Sequence, residues 1–349
     1  MMISICSPFV LSEGRIDAMS WSSDVVEHLP SGNMIPLVVE PLRPTGLLEF
    51  AARRSEAVDA ALARHGAVLF RGFGVSGEDT LAALFQRLWT EPLPYVYRST
   101  PRSDVGKGVY TATEYPAAQE IPMHNENAYQ RDWPMRIGFH CVTPATSGGQ
   151  TPLADVGRVT ERIDPAILAE FRDRRVQYIR NYSDFIDLPW QTVFQTDSRS
   201  EVEAFCTAHD IGFDWTDEGL RTTQVCQGTA IHPGLSQELW FNQAQLFHLS
   251  NLGPAMAADM LDLFGEAGLP RNARFGDGGP IPDSVVAAVT AAFDREKVVF
   301  DWRRDDVLIL DNMRVAHGRK PFGGARRVLV SMGYPHSAFT ATPQPVPHP

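Results

Sequence analysis

The 349-residue sequence has few cysteines and no run of basic residues, and both shortages narrow what it can do. Its four cysteines, Cys6, Cys141, Cys206 and Cys226, lie far apart with no CxxC pair. That suits reduced thiols in a cytoplasm better than a disulfide framework or a zinc knuckle. Thirty-one Lys and Arg stand against 42 Asp and Glu, a formal charge of −11, so the electrostatic footprint for nucleic acid is missing. No stretch approaches the roughly 18 consecutive apolar residues of a membrane span. The opening Met1–Cys6 lacks a basic segment and breaks at Ser7-Pro8, so no secretory signal is expected. There is no GxSxG elbow or Walker loop, which leaves the hydrolase and nucleotidase readings without an anchor, and no HExxH, which lowers the zinc-peptidase option.

What is present is a chain 44% hydrophobic and long enough for a large core, with helical and extended patterns interleaved. Apolar spacing predicts a helix over 46–64, ended by His65-Gly66 and followed by a buried strand at Ala67–Phe70. Further helices are expected at 79–89, 164–174, 201–209, 254–266 and 282–294. The stretch from Pro92 to Gly108 reads as a long loop. Strands are expected at 136–142, from about Thr151, and in three C-terminal runs, Lys297–Trp302, Asp306–Leu310 and Arg327–Met332, a barrel or sandwich rhythm. The tail 341–349 holds four prolines and reads as an extended end.

His124-Asn125-Glu126 places an imidazole and a carboxylate two residues apart, so on an extended segment both leave one face and can meet one ion. His317 ends a hydrophobic strand that runs through a polar segment into a His-Gly turn. Two imidazoles and one carboxylate are the ligand set of a facial triad on ferrous iron, with three positions left for a chelating 2-oxo acid and O2. The same ligand types also hold catalytic zinc in some peptidases. A dicarboxylate cosubstrate further needs a fixed cation and a hydroxyl. Thr151 follows the Gly148-Gly149 turn, and Arg326 and Arg327 adjoin at a strand start; neighbouring strand residues face opposite ways, so one of the two should enter the cavity. His140, His232 and His248 read as structural, and Trp240 and Phe241 as core.

The stretches MHNENAYQRDWPMRIGFHCVTPATSGGQTPLAD (123–155) and LDNMRVAHGRKPFGGARRVLVSMG (310–333), with ELWFNQ (238–243) between them, resemble the taurine dioxygenase (TauD/TfdA) family of Fe(II)/2-oxoglutarate oxygenases, most of all its SyrP-like group. The resemblance implies a mainly β fold with flanking helices, a distorted double-stranded β-helix (jelly roll, clavaminate synthase-like). It implies one oxygenase domain over 1–349, with 160–255 as a helical and loop insertion forming a lid. It assigns His124, Glu126 and His317 to Fe(II), and Thr151 with Arg327, Arg326 being the alternative, to the distal carboxylate of 2-oxoglutarate. Two departures stand out. Glu126 replaces the more frequent Asp, and Ser331 stands where the family's founding member has a second arginine for the 1-carboxylate, which leaves Asn125 and Arg314 as candidates for that end.

The implied activity is hydroxylation of an unactivated C–H bond with Fe(II), 2-oxoglutarate and O2. Desaturation and ring closure begin alike; halogenation is disfavoured, because halide would occupy the place of Glu126. A non-catalytic regulatory protein on the same fold is the competing reading, and it predicts an eroded site. The resemblance also points to a small-molecule substrate, an amino acid or amino-acid-derived unit of natural-product biosynthesis. An acyl or peptidyl carrier protein is then a candidate partner, with Arg172, Arg174, Arg175 and Arg180 as a basic collar. Residues 180–200 are expected to form a mobile lid.

Overall fold

A computed structural model describes residues 24–30, 34–75, 77–89, 97, 102–113, 115–183, 188–217 and 219–338. The Pro-rich tail and most of the loop expected after Pro92 lie outside these residues.

The largest sheet has eight strands in the order Val25–His28, Leu37–Pro41, Ala67–Phe70, Val307–Asp311, Asp132–Thr143, Arg327–Ser337, Val109–Thr111 and Asp104–Gly106. All neighbours are antiparallel except Leu37–Pro41 against Ala67–Phe70. Side chains alternate between two cores, as a sheet buried on both faces requires. Val39, Val68, Phe70, Val307, Ile309 and Leu329 point to one core, while Val38, Leu69, Leu308, Leu310, Val328 and Val330 point to the other.

The first core is closed by helices Leu47–Arg53, Ser55–His65 and Gly77–Leu88, and the single helix expected over 46–64 is broken at Arg54. Gly66, in left-handed conformation at φ 74°, ends the second helix. Phe85 and Trp89 stack 4.7 Å apart directly over Gly138, where a Cβ would lie 2.1 Å from the Phe85 ring. The connector Gly72-Phe-Gly-Val-Ser-Gly77 has the spacing of a dinucleotide-binding loop. Its Phe73 and Val75 instead fill this helical core, and Gly74 bridges to Gly46, so it acts as packing.

The second core is the inside of the jelly roll. Its far wall is a three-stranded sheet, Ile121–His124, Val315–Arg319 and Leu153–Asp155. The chain crosses from one sheet to the other within Asp311–Val315, so the two histidine-bearing strands sit side by side at the open end of the roll. Lys297–Trp302 forms no strand; only Val298 bridges to Leu153, while Trp302 packs into the inner core.

The region expected to be a helical and loop insertion contains a sheet of its own. Strands Gly212–Thr216, Gly219–Cys226, Val176–Ser183 and Arg271–Phe275 pair in that order, and with the surrounding helices they build a third core around Phe171, Tyr178, Tyr182, Trp240, Phe241 and Phe275. One helix here starts as read from sequence, with Asp164 capping Pro165–Arg174 by accepting from Ala166 N, while the helix expected from 201 starts two residues earlier, at Arg199, where Ser198 caps it. No helix among the described residues is long and apolar enough to cross a membrane.

Candidate active site

His124 is the last residue of its strand, and His317 sits directly opposite it in antiparallel register, ring centroids 4.5 Å apart. The extended segment expected through His-Asn-Glu ends at His124; Glu126 lies in the turn that follows, 4% exposed. Ligand atoms of His124, Glu126 and His317 all fall within 4.8 Å of one another, and this is the one such group of three metal-binding side chains among the described residues. His124 donates from Nδ1 to the Pro122 carbonyl at 2.8 Å, which leaves Nε2 with its lone pair. His317 Nε2 faces Glu126 Oε2 at 3.9 Å, too long for a hydrogen bond but within the span of two ligands each about 2 Å from one ion. Burial lowers the pKa of both imidazoles, that of His317 strongly and with help from His124 and Arg102. Both are therefore neutral donors at physiological pH. The buried, convergent donor set fits ferrous iron.

A buried amide network holds the turn. Asn312, fully buried, accepts from Glu126 N at 2.8 Å and donates to the carbonyls of Glu126 and Pro134 at 2.9 and 2.8 Å. Asn125 donates to the Asn312 carbonyl, and Gln243 donates to that of Asn125 at 2.6 Å. Asn125 is thus part of the scaffold. Arg314, the other residue considered for the keto-acid end, caps helix Ser55–His65 through the carbonyls of Leu62 and Ala63.

Beside the histidines opens a small chamber lined by Arg102, Thr113, Thr151, Phe139, Arg319 and Arg326, among others. Thr151 is 4% exposed and accepts from Trp302 Nε1 at 2.9 Å, so its own hydroxyl proton can be donated into the chamber. The structure corrects the expected strand parity: Arg326 lines this chamber, while Arg327 is exposed outside it. Val328 and Val330 belong to the inner core and Leu329 to the outer one, so Arg326 shares the inward face and Arg327 does not. Arg326 donates to Gly149 O at 3.1 Å, and burial, helped by the Arg319 charge, lowers its pKa to about 10. Gly149 must be glycine: its φ is 73°, and a Cβ there would come within 3.1 Å of Arg326 Cδ.

On the other side of His124 lies an outer cavity of about 120 Å³, lined by Arg102, Tyr115, Glu126, Gln243, Leu246, Phe247, Asn251 and Arg271, among others. Its mixed polar and apolar wall suits a small polar molecule. Two expectations for the neighbouring region need correction. Arg180-Asn181-Tyr182 are not part of a mobile lid, because they belong to the strand Val176–Ser183, Arg180 in register with strands on both sides and Asn181 and Tyr182 with Gly219–Cys226, and Arg180 and Tyr182 are buried. Three of the four arginines do not form a collar either: Arg172 is paired in a fork with Glu238, Arg174 with Asp277 and Glu170, and Arg180 is packed inside against Tyr97 and Tyr182. His140, His232 and His248 stand apart from the triad; His232 bonds Asp311, and His248 bonds the Ile281 carbonyl.

The sequence profile of the taurine catabolism dioxygenase TauD, TfdA family matches residues 39–332. The chain belongs to this family. It is an Fe(II)- and 2-oxoglutarate-dependent dioxygenase. Among its relatives, the dapdiamide synthesis protein DdaC of Enterobacter agglomerans is 41% identical over 315 residues, covering 90% of this chain and 95% of that one. A clavaminate synthase-like protein of Arabidopsis thaliana is 31% identical over 287 residues, 79% and 83% of the two chains. Of solved structures, PvcB from Pseudomonas aeruginosa superposes with a TM-score of 0.54 at 18% identity, covering 90% and 92% of the chains; at that identity the likeness bears on the jelly-roll fold alone.

Against this family background, two groups in the site had not been singled out from sequence. Asn312 carried a readable signal, a polar Asp-Asn pair terminating a strand that is otherwise buried. Arg102 carried none. It follows a proline-rich stretch, yet it is 6% exposed, pairs with Glu126 Oε2 at 2.7 Å and lines both cavities.

Proposed function

We propose that His124, Glu126 and His317 hold the iron, that Thr151 and Arg326 bind the distal carboxylate of 2-oxoglutarate, and that the enzyme hydroxylates an unactivated C–H bond of a small amino-acid-derived molecule in natural-product biosynthesis. The observation that carries the reading is the direct cross-strand pairing of His124 with His317, with Glu126 turned in beside them and the Thr151–Arg326 chamber opening from the same point. Bound iron supplies the coordination positions at which 2-oxoglutarate and O2 are activated for oxidation of the substrate. The chain's residues do the rest by position. The neutral imidazoles and the carboxylate leave one side open, Arg326 and Thr151 anchor the cosubstrate by its far end, and the outer cavity brings the substrate alongside His124 and Glu126.

Natural-product biosynthesis rests on likeness to DdaC, a dapdiamide synthesis protein. A carrier-tethered substrate draws no support from Arg172, Arg174 and Arg180, whose charges are spent on internal pairs or buried packing. Purified protein with Fe(II), ascorbate and 2-oxoglutarate is expected to form succinate, and His124→Ala to abolish metal binding and turnover together. Retained turnover in that variant would refute the ligand assignment. Mass spectrometry of products from free and carrier-bound amino acids decides the substrate's form.

A further inference from the structure

The metal carboxylate and the keto-acid end of the cosubstrate have a common neighbour. The side chain of Arg102 is 3% exposed. Its Nη2 donates to Glu126 Oε2 at 2.7 Å and approaches Thr113 Oγ1 at 3.4 Å. Glu126 Oε2 is also the oxygen that faces His317 Nε2. Arg102 lines both the inner chamber and the outer cavity, a property shared only by Thr113, Ile121 and His124 among the residues lining the two.

Three features make this contact more than a surface pair. A glutamate has one more rotatable bond than an aspartate, so its carboxylate needs an external hold to present a single oxygen reproducibly; the Arg102 Nη2–Glu126 Oε2 bond supplies one. The guanidinium stands beside the ligand set and lines both cavities, so its positive charge also faces an anion that enters the inner chamber. Finally, Arg326 and Thr151 occupy one part of the inner chamber, and Ser331, 1% exposed in its strand, offers no cation for the other carboxylate.

We propose that Arg102 is a positioning and cosubstrate-binding residue: it fixes the Glu126 carboxylate and pairs with the metal-proximal carboxylate of 2-oxoglutarate. The proposal rests on the oxygenase reading above. It assigns the two ends of the cosubstrate to arginines from different parts of the chain, Arg326 for the distal end and Arg102 for the proximal end.

The test compares Arg102→Gln and Arg102→Lys with the wild type by binding, without turnover. Mn(II) affinity is read by paramagnetic resonance of the free ion, and anaerobic titrations with 2-oxoglutarate and with succinate follow protein fluorescence of the metal-loaded enzyme. Succinate carries the distal carboxylate but lacks the 2-oxo acid group. For Arg102→Gln, loss of a partner to a metal ligand predicts Mn(II) binding weaker by about 10- to 100-fold. At saturating Mn(II), 2-oxoglutarate affinity should fall by about 10-fold or more while succinate affinity changes by less than about threefold. Arg102→Lys, which keeps the charge without the fork, should recover part of the 2-oxoglutarate loss. If Mn(II) binds more tightly to Arg102→Gln, simple repulsion governs and the positioning role is wrong. Equal losses for 2-oxoglutarate and succinate, or none for either, overturn the proximal-carboxylate role. If the wild type itself fails to bind 2-oxoglutarate, the oxygenase reading falls, a result distinct from either of these. Should Arg102→Gln not fold, Arg102→Lys alone decides: 2-oxoglutarate affinity equal to wild type refutes the proposal.

Discussion

Replacing Arg326 by alanine removes the cation at the far end of the inner chamber and leaves a bound dicarboxylate with one uncompensated charge. Truncating one partner of a desolvated charge pair costs about 2–5 kcal/mol. Arg326 is only partly buried as a residue, which places the effect near the low end, about 2–3 kcal/mol, or roughly 30- to 150-fold in the dissociation constant for 2-oxoglutarate. Trp302, bonded to Thr151 at the chamber wall, is an intrinsic fluorescence reporter for an anaerobic titration. Arg327→Ala is the matched control, and because that side chain is exposed outside the chamber it should shift affinity by less than about twofold. The pH dependence follows from the same burial. The pKa of Arg326 is lowered to about 10, so the folded protein gives up this proton more readily than the unfolded chain. Its charge therefore opposes folding at neutral pH, and the penalty fades as pH rises through about 10. Bound 2-oxoglutarate pairs with the charge and offsets the penalty, so affinity and ligand-induced thermal stabilisation should both decline as pH passes about 10. Equal effects of the two substitutions, or a larger one from Arg327→Ala, would refute the strand parity and with it the cosubstrate pose.

Asn312→Ala deletes three buried side-chain hydrogen bonds around Glu126, and about 3–5 kcal/mol of stability should be lost in denaturant melts, with metal affinity reduced further in the folded fraction. An unchanged metal affinity would show that the turn holds its shape without the amide. Gly138→Ala drives a Cβ into Phe85 and Trp89 on the sheet face away from the site, so it should lower the melting temperature by an amount equivalent to about 1–3 kcal/mol or more while metal binding per folded molecule stays unaltered. A neutral result there would contradict the helix-on-sheet packing.

The parts of this molecule that could be read from sequence are those in which local chemistry is self-sufficient. Asp164-Pro165 caps and starts a helix, and His65-Gly66 stops one, because the signals lie within a few residues of what they control. The C-terminal strand rhythm pointed to a barrel or sandwich, and the resemblance to the dioxygenase family narrowed that to the jelly roll. The Arg326/Arg327 choice failed for a different reason: Arg327 comes from the family resemblance, whereas alternation counted from the inward Val328 and Val330 turns Arg326 in and Arg327 out. Lys297–Trp302 has the composition of a strand, yet only Val298 pairs, exchanging two backbone hydrogen bonds with Leu153 at the edge of the three-stranded wall, while Trp302 turns into the inner core.

The insertion shows where composition misleads most. Residues 180–200 read as an irregular mixture of polar and aromatic side chains, which suggested mobility. In the fold 180–183 close the strand Val176–Ser183, whose two faces meet different surroundings, so no amphipathic period is needed, while 184–187 lie outside the described residues. The polar members are absorbed individually: Arg180 packs on the rings of Tyr97 and Tyr182, and Asn181 bonds the carbonyls of Ala267 and Leu269 at the end of the helix Pro254–Gly268. The neighbouring strand Arg271–Phe275 then carries Arg271 to the outer cavity. The outer cavity is therefore walled in part by a sheet with its own core, which presents Arg271, and in part by the helix Ala244–Phe247, which presents Phe247; if that cavity takes the substrate as proposed, exchanging these two side chains should change which molecules are oxidised.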